Sequence, residues 1–202
     1  MRSLQLFTIG NLILLWPGEN HDRRWVGNLM VMKAMDEQRS PMTNATCVSL
    51  WCLIGLPGSG KSTWAEQFGA STPPLQLIAT DQIRAVLFGD EATQGPWRLV
   101  WEQVTDQLAQ SAQQTQQGLL AGAIYDATNT RRRGRRQVVA TARSLGFNRV
   151  LALWFDRPLT LCLARNQQRS RQVPPAVIAT MARQLAGSPP HYDEGFDAVF
   201  RL

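Results

Sequence analysis

Val48-Ser49-Leu50-Trp51-Cys52-Leu53-Ile54, running into Gly55-Leu56-Pro57-Gly58-Ser59-Gly60-Lys61-Ser62-Thr63, decides the fold. The first seven residues are apolar or small, bounded by a glycine-rich turn, and read as a buried strand. The stretch from Gly55 to Ser62 fits G-x-x-x-x-G-K-[ST] at every fixed position. The glycines let the backbone curl so that successive N–H groups face phosphate oxygens. Lys61 supplies a point charge for the β- and γ-phosphates, and the Ser62 hydroxyl can ligate Mg²⁺. Lys61 to Phe68 reads as a helix with Trp64 and Phe68 four apart on one face. Strand, loop and helix together place the positive end of a helix dipole under the phosphates. Gly55, Pro57, Gly58, Ser59, Gly60, Lys61, Ser62 and Thr63 are therefore the candidate nucleotide-binding residues, with Ser62 also the candidate metal ligand. From Met42 onward Lys61 is the only lysine, every other basic residue being arginine. A bias toward arginine has spared the one position where an ammonium fits and a planar guanidinium does not.

Outward from this unit the chain alternates between strand and helix. Leu75 to Ala79 is a second apolar run, and Thr80-Asp81 starts a short helix. Pro96 opens a long helix to about Leu120, with Leu99, Val104, Leu108 and Ala112 along its apolar stripe. Ala121 to Tyr125 is a third strand ending at Asp126, and Arg135 to Leu145 a helix stopped at Gly146. Val150 to Phe155 is a fourth strand, followed by helices over Pro158–Arg169 and Pro175–Leu185 and a short strand over Ala198–Arg201. This order predicts an α/β fold: three layers, α/β/α, around a mostly parallel sheet, with a helical lid. In such sheets ligands sit at the carboxyl ends of the strands.

The chain has 202 residues and a formal charge of +6. From Met42 on it holds 16 basic and 11 acidic residues, which suits an anionic partner such as a nucleotide, a nucleic acid or a phosphorylated small molecule. Cys47, Cys52 and Cys162 show no paired spacing and read as small hydrophobes in a reducing compartment, the cytoplasm, rather than as a disulfide or metal framework. No apolar run is long enough for a membrane helix. Residues 1–41 lack the periodicity of the rest and carry no small-residue cleavage site. We expect them to be an N-terminal extension, disordered or upstream of a true start at Met35 or Met42, and residues 42–202 to form the domain.

The polar residues at strand ends are the candidates for chemistry. Asp81 and Arg84, at helical spacing after the second strand, share a face. The carboxylate can accept the proton of an acceptor hydroxyl, and the guanidinium can orient an acceptor phosphate. Asp81 as a helix N-cap is the plain alternative. Asp126 ends the third strand, where it can hold Arg84 or a water on Mg²⁺, or serve as a cap and turn. Arg131, Arg132, Arg133, Arg135 and Arg136 come next in the chain, either as a solvated helix start or as a grip for a polyanion. Asp156 ends the fourth strand, where it suits capping. Arg165 and Arg169, four apart on one predicted helix, project together with Arg171 just beyond. They are candidate lid arginines that offset charge in a phosphoryl transition state.

Gly55–Trp64, Asp81-x-x-Arg84, Asp126-x-Thr128-Asn129, and Arg165-Asn166-x-x-Arg169 leading to Val173-Pro174 occur in this order. The set resembles the kinase module of polynucleotide 5′-hydroxyl kinases and its bacterial relatives, described as AAA-like ATPases or predicted kinases. The likeness covers about residues 48–185, and His191–Asp197 also looks like the stand-alone bacterial relatives. It implies that Lys61 and Ser62 hold phosphates and Mg²⁺, that Asp81 is the general base, and that Arg84 binds the acceptor phosphate. Asp126 would then support that site, and Arg169 with Arg165 would form the lid. The expected activity is ATP- and Mg²⁺-dependent phosphoryl transfer to a hydroxyl, with the 5′-OH of a nucleic acid end as one acceptor. A small-molecule kinase and a nucleotide-binding switch that releases phosphate to water are the alternatives.

Overall fold

A computed structural model of the chain describes residues 47–68 and 74–202 in full and the backbone of 4–9, 12–17 and 69. Strands β1 (Leu4–Ile9) and β2 (Leu12–Pro17) pair antiparallel in a two-stranded sheet of their own. The expected starts at Met35 and Met42 fall outside the described residues.

The domain is a five-stranded sheet built from β3 (Ser49–Gly55), β4 (Leu75–Ala79), β5 (Gly122–Asp126), β6 (Arg149–Phe155) and β7 (Ala198–Arg201). Their spatial order is β4-β5-β3-β6-β7, with every pairing parallel. All seven residues of β3 are buried, as a central strand covered on both faces requires. One face carries the larger cluster, with Leu50, Cys52, Ile54, Ala123, Tyr125, Val150 and Ala152 meeting Val100, Val104, Leu108, Val138 and Ile178 from helices. The other face packs Trp51, Leu53, Ile124, Leu151 and Leu153 against Trp64 and Ala65. This is the two-period alternation of a strand dividing its side chains between two layers.

The helices are α1 (Lys61–Gly69), α2 (Thr80–Phe88), α3 (Trp97–Gln116), α4 (Arg132–Ser144), α5 (Leu159–Gln167) and α6 (Pro175–Gly187). In α1 Trp64 and Phe68 stack with ring centroids 4.5 Å apart, as their spacing predicts. Among the described residues no helix is long and apolar enough to cross a membrane. The long helix α3 ends at Gln116 rather than near Leu120, and two further boundary shifts bear on the site. Helix α4 starts at Arg132, so the arginine run lies within its first turns rather than ahead of it. Helix α5 stops at Gln167 because Asn166 closes the next loop on itself. Its Nδ2 donates to the Val173 carbonyl and its Oδ1 accepts from the Val173 N–H, both at 2.9 Å. Arg165 and Arg169 therefore do not share a helix face, since Arg169 stands in the loop beyond.

The chain adds β4 and β5 on one side of β3 and then β6 and β7 on the other. The crevice where this direction reverses lies at the carboxyl end of β3, where an open α/β sheet binds its ligand. Register brings Gly55 level with Phe155, and Ala79 level with Asp126, so the phosphate loop, Asp81 and Asp126 emerge on one rim.

Candidate active site

The loop Gly55–Gly60 leaves β3 and enters α1 at Lys61. Two glycines are indispensable for different reasons. Gly60 has φ +99° with open space around it, so the requirement there is torsional. Gly58 has φ +78°, and a Cβ on it would lie 2.6 Å from the Cys162 carbonyl oxygen, so the loop must also pass close to the α5 backbone. Gly55 donates its N–H to the Thr128 carbonyl at 3.0 Å, which fixes the loop to the strand-end segment after β5. The first-turn N–H groups of Lys61, Ser62 and Thr63 have no acceptor among the described residues. They form the anion cradle expected of a helix N-terminus behind a glycine-rich turn.

Lys61 is 7% exposed. Its Nζ donates to the Leu56 carbonyl at 2.8 Å and to Ser59 Oγ at 3.4 Å. Burial lowers its pKa to about 8, against the opposing pull of the Asp126 carboxylate. Asp126 is 9% exposed, and burial raises its pKa while the Lys61 charge and a hydrogen bond from the Ser62 hydroxyl oppose the rise. The Ser62 hydroxyl and the Asp126 carboxylate thus form a pair of hard oxygens beside the cradle, the donor type that suits Mg²⁺. Asp126 does not hold Arg84, whose ion pair is with Asp81.

Asp81 lies in the first turn of α2, whose N-cap is Ala79 with no side-chain cap bond, so the capping alternative does not apply. Its side chain is 52% exposed. Oδ1 accepts from Arg84 Nη1 at 2.9 Å, and Oδ2 accepts from Arg171 Nη1 at 3.0 Å. Arg171 also approaches Glu91 Oε1 at 3.5 Å, tying the loop after α5 to α2 and the turn beyond it. This clasp joins residues 90 positions apart, and reading the sequence did not find it.

Asp156 does not cap α5; its carboxylate accepts from Arg201 Nε at 2.7 Å, and the Arg201 guanidinium lies over the Trp154 ring. The arginine run separates into roles. Arg135 is fully buried and grips the buried Glu194 through two bonds, Nε to Oε2 at 2.6 Å and Nη2 to Oε1 at 2.7 Å. Its remaining donors reach the carbonyls of Asn129 and Thr130 at 3.2 Å and of Ser188 at 2.8 Å. Asn129, at φ 48°, donates through Nδ2 to the Leu53 carbonyl at 2.7 Å. The Thr128-Asn129 segment is thus a brace between β3 and the rim. Arg132 pairs with Asp193 on the surface, whereas Arg131 and Arg133 have no ion-pair partner among the described residues and line the crevice. A signal for Arg135 was present: with Val138, Val139 and Ala142 it occupies the i, i+3, i+4, i+7 face that α4 buries.

These parts surround one cavity of about 1850 Å³, whose walls include the phosphate loop, Asp81, Arg84, Asp126, Arg165, Arg169 and Arg171. Ser62 meets Asp126, whose carboxylate also feels the Lys61 charge, and Asp81 bonds both Arg84 and Arg171. Arg165 and Arg169 face the same space with no ion-pair partner among the described residues.

A family model described as an AAA domain matches residues 50–188. The chain belongs to this family. No curated protein matches the chain. Among solved structures, a chain of the Pnkp1/Rnl/Hen1 RNA repair complex is 24% identical, with TM-score 0.60 over 78% of this chain and 49% of that one. The chain thus spans about half the length of that protein. A fungal RNA kinase is 17% identical, with TM-score 0.52, 78% of this chain and 75% of that one covered. Shikimate kinase from Bacteroides thetaiotaomicron is 15% identical, with TM-score 0.50 and coverages of 76% and 86%. The AAA-domain chain has a P-loop kinase-like fold, the one predicted from sequence, and its fold neighbours include an RNA kinase, a chain of an RNA repair complex and a shikimate kinase.

Proposed function

We propose that this domain transfers the γ-phosphoryl group of ATP to a hydroxyl, with the 5′-OH of a nucleic acid end as the acceptor. The observation that carries the reading is Asp81 beside Arg84 in the same cavity as the Lys61 cradle. A nucleotide switch that passes phosphate to water has no use for an acceptor-side base paired with an anion-binding arginine. The nucleic acid acceptor is supported by the excess of arginine around the crevice and by the RNA-repair and RNA-kinase fold neighbours. The buried free thiols of Cys52 and Cys162 suit a cytoplasmic location.

In this reading the N–H groups of Lys61, Ser62 and Thr63 and the Lys61 ammonium bind the β- and γ-phosphates. Ser62, and Asp126 through water, would hold Mg²⁺, which when bound neutralises charge on the phosphates. Asp81 accepts the acceptor's O–H proton as its oxygen bonds to the γ-phosphorus and the bond to the β-phosphate oxygen breaks. Both Asp81 oxygens already accept one hydrogen bond, but each keeps a second lone pair for the substrate hydroxyl. Arg84 holds the acceptor phosphate, and Arg169 with Arg165 offsets the charge that develops on the transferred group.

The test is a labelled-ATP screen over 5′-OH RNA, 5′-OH DNA, nucleosides and sugars, repeated with Asp81→Asn. Labelled 5′ ends, with turnover down about 10²- to 10³-fold in the variant and ATP binding retained, are expected. Label on sugars alone would transfer the reading to a small-molecule kinase. Phosphate released at equal rates with and without any acceptor would end the kinase reading.

A further inference from the structure

The crevice has a wall that the transfer step itself does not use. Pro96 opens α3, and Trp97 and Trp101 stand one turn apart at its start. Their rings stack, with centroids 6.0 Å apart and planes inclined by 29°. Trp101 is half-buried against the main core, whereas Trp97 is 47% exposed and lines the cavity. A single exposed aromatic on a protein surface is ordinary. Here, however, the ring is backed by a second indole that the core holds in place, and it shares a cavity with Asp81 and Arg84.

Charge in that cavity exceeds what one magnesium-bound triphosphate needs. Eight basic and four acidic side chains line it. Arg131 and Arg133 lack ion-pair partners among the described residues. Arg84 gives one donor to Asp81, and its buried Nε–H has no acceptor. The chain order also separates the two ligands. Gly58 abuts α5 on the β6 side of the crevice, whereas α2 and α3, which carry Asp81, Arg84 and Trp97, come after β4 at the opposite edge of the sheet. A supported indole face sharing a cavity with an arginine that has a free donor is the chemistry that recognises a base joined to a phosphate.

We propose that Trp97, backed by Trp101, is a stacking platform for a nucleobase of the acceptor. The acceptor is then a nucleotide unit at a strand end, its base on Trp97, its phosphate on Arg84 and its free hydroxyl at Asp81. This inference rests on the kinase reading for the hydroxyl's fate, but not for the stacking itself.

The test uses the full chain with Trp97→Ala, Trp97→Leu and Trp97→Phe, a 5′-OH RNA trinucleotide, and the same trinucleotide lacking its first base. Steady-state transfer from labelled ATP and, separately, anisotropy of a 3′-labelled trinucleotide without ATP are measured. Trp97→Ala and Trp97→Leu are expected to raise KM and weaken binding about 5- to 100-fold for the intact trinucleotide. Values of kcat and ATP affinity should hold, Trp97→Phe should recover most of the loss, and the abasic trinucleotide should not distinguish the variants. Trinucleotide binding that depends on an aromatic residue 97, without any transfer, would uphold the platform while the kinase reading fell. Transfer to sugars by a protein that binds no trinucleotide would overturn the platform and leave a kinase. Equal losses for intact and abasic ligands, wild-type behaviour of Trp97→Leu, or a loss confined to ATP would also overturn it.

Discussion

The two walls of the crevice are built differently. The wall proposed to hold the nucleotide is built on buried contacts: Lys61 sits on the Leu56 carbonyl and Gly55 on Thr128, while the first-turn N–H groups stay open for a ligand. The acceptor wall is held by ion pairs in contact with water, with Arg84 and Arg171 sharing the half-exposed Asp81. Exposed pairs of this kind exchange readily with salt or ligand, whereas a buried and hydrogen-bonded set does not rearrange without cost. On the proposed reading, one wall is preorganised for a constant ligand, and the other can trade its internal pairs for those of an incoming anion.

The harshest way to break this contrast is Lys61→Ala, which removes the charge at the centre of the rigid wall. Turnover should fall about 10³-fold with loss of tight ATP binding, read by single-turnover transfer and by calorimetry. A variant that still binds ATP tightly would show that the wall does not depend on its lysine. Next in size is Glu194→Gln, which leaves the Arg135 guanidinium buried without its countercharge. Stability should drop by about 3–5 kcal/mol in urea melts; a drop near zero would mean that the brace under Asn129 does not rest on this pair.

A pH titration sharpens the contrast further. Burial holds Lys61 at about 8, below its ordinary 10.5, so between these values the unfolded chain binds more protons than the folded one. Its contribution to the stability of the ligand-free protein therefore rises with pH across that window. ATP affinity should move the opposite way, weakening above about pH 8 as the ammonium is lost. Melting curves and ATP titrations at matched pH, with Lys61→Met as the reference, measure both slopes. The smallest effect is expected at a residue outside the cavity lining: Asp156→Asn, which breaks a surface pair with Arg201, should cost between 0 and about 1 kcal/mol and leave transfer unchanged.

Legibility in the sequence divided along the same line. The rigid wall could be read because its parts are contiguous: a strand, its loop and the next helix occupy a single stretch, and each residue type has one physical reason to be there. The order of strands and helices also predicted the parallel α/β sheet. The acceptor wall could be read only in pieces. Asp81 and Arg84 are three apart and were paired correctly, but Arg171 reaches Asp81 through tertiary folding that no local pattern encodes. Helical spacing placed Arg169 on α5, where the side-chain clamp from Asn166 to Val173 ends the helix first. The run of five arginines is uniform in charge but not in periodicity, and Arg135 belongs to the buried stripe of α4.

The close approach of Gly58 to Cys162 has a consequence for motion. The phosphate loop and the root of α5 are packed so tightly that not even a methyl group fits between them, so the two travel as one mechanical part. Any movement that swings Arg169 over a bound triphosphate must therefore pivot farther along, in the short stretch that Asn166 staples shut.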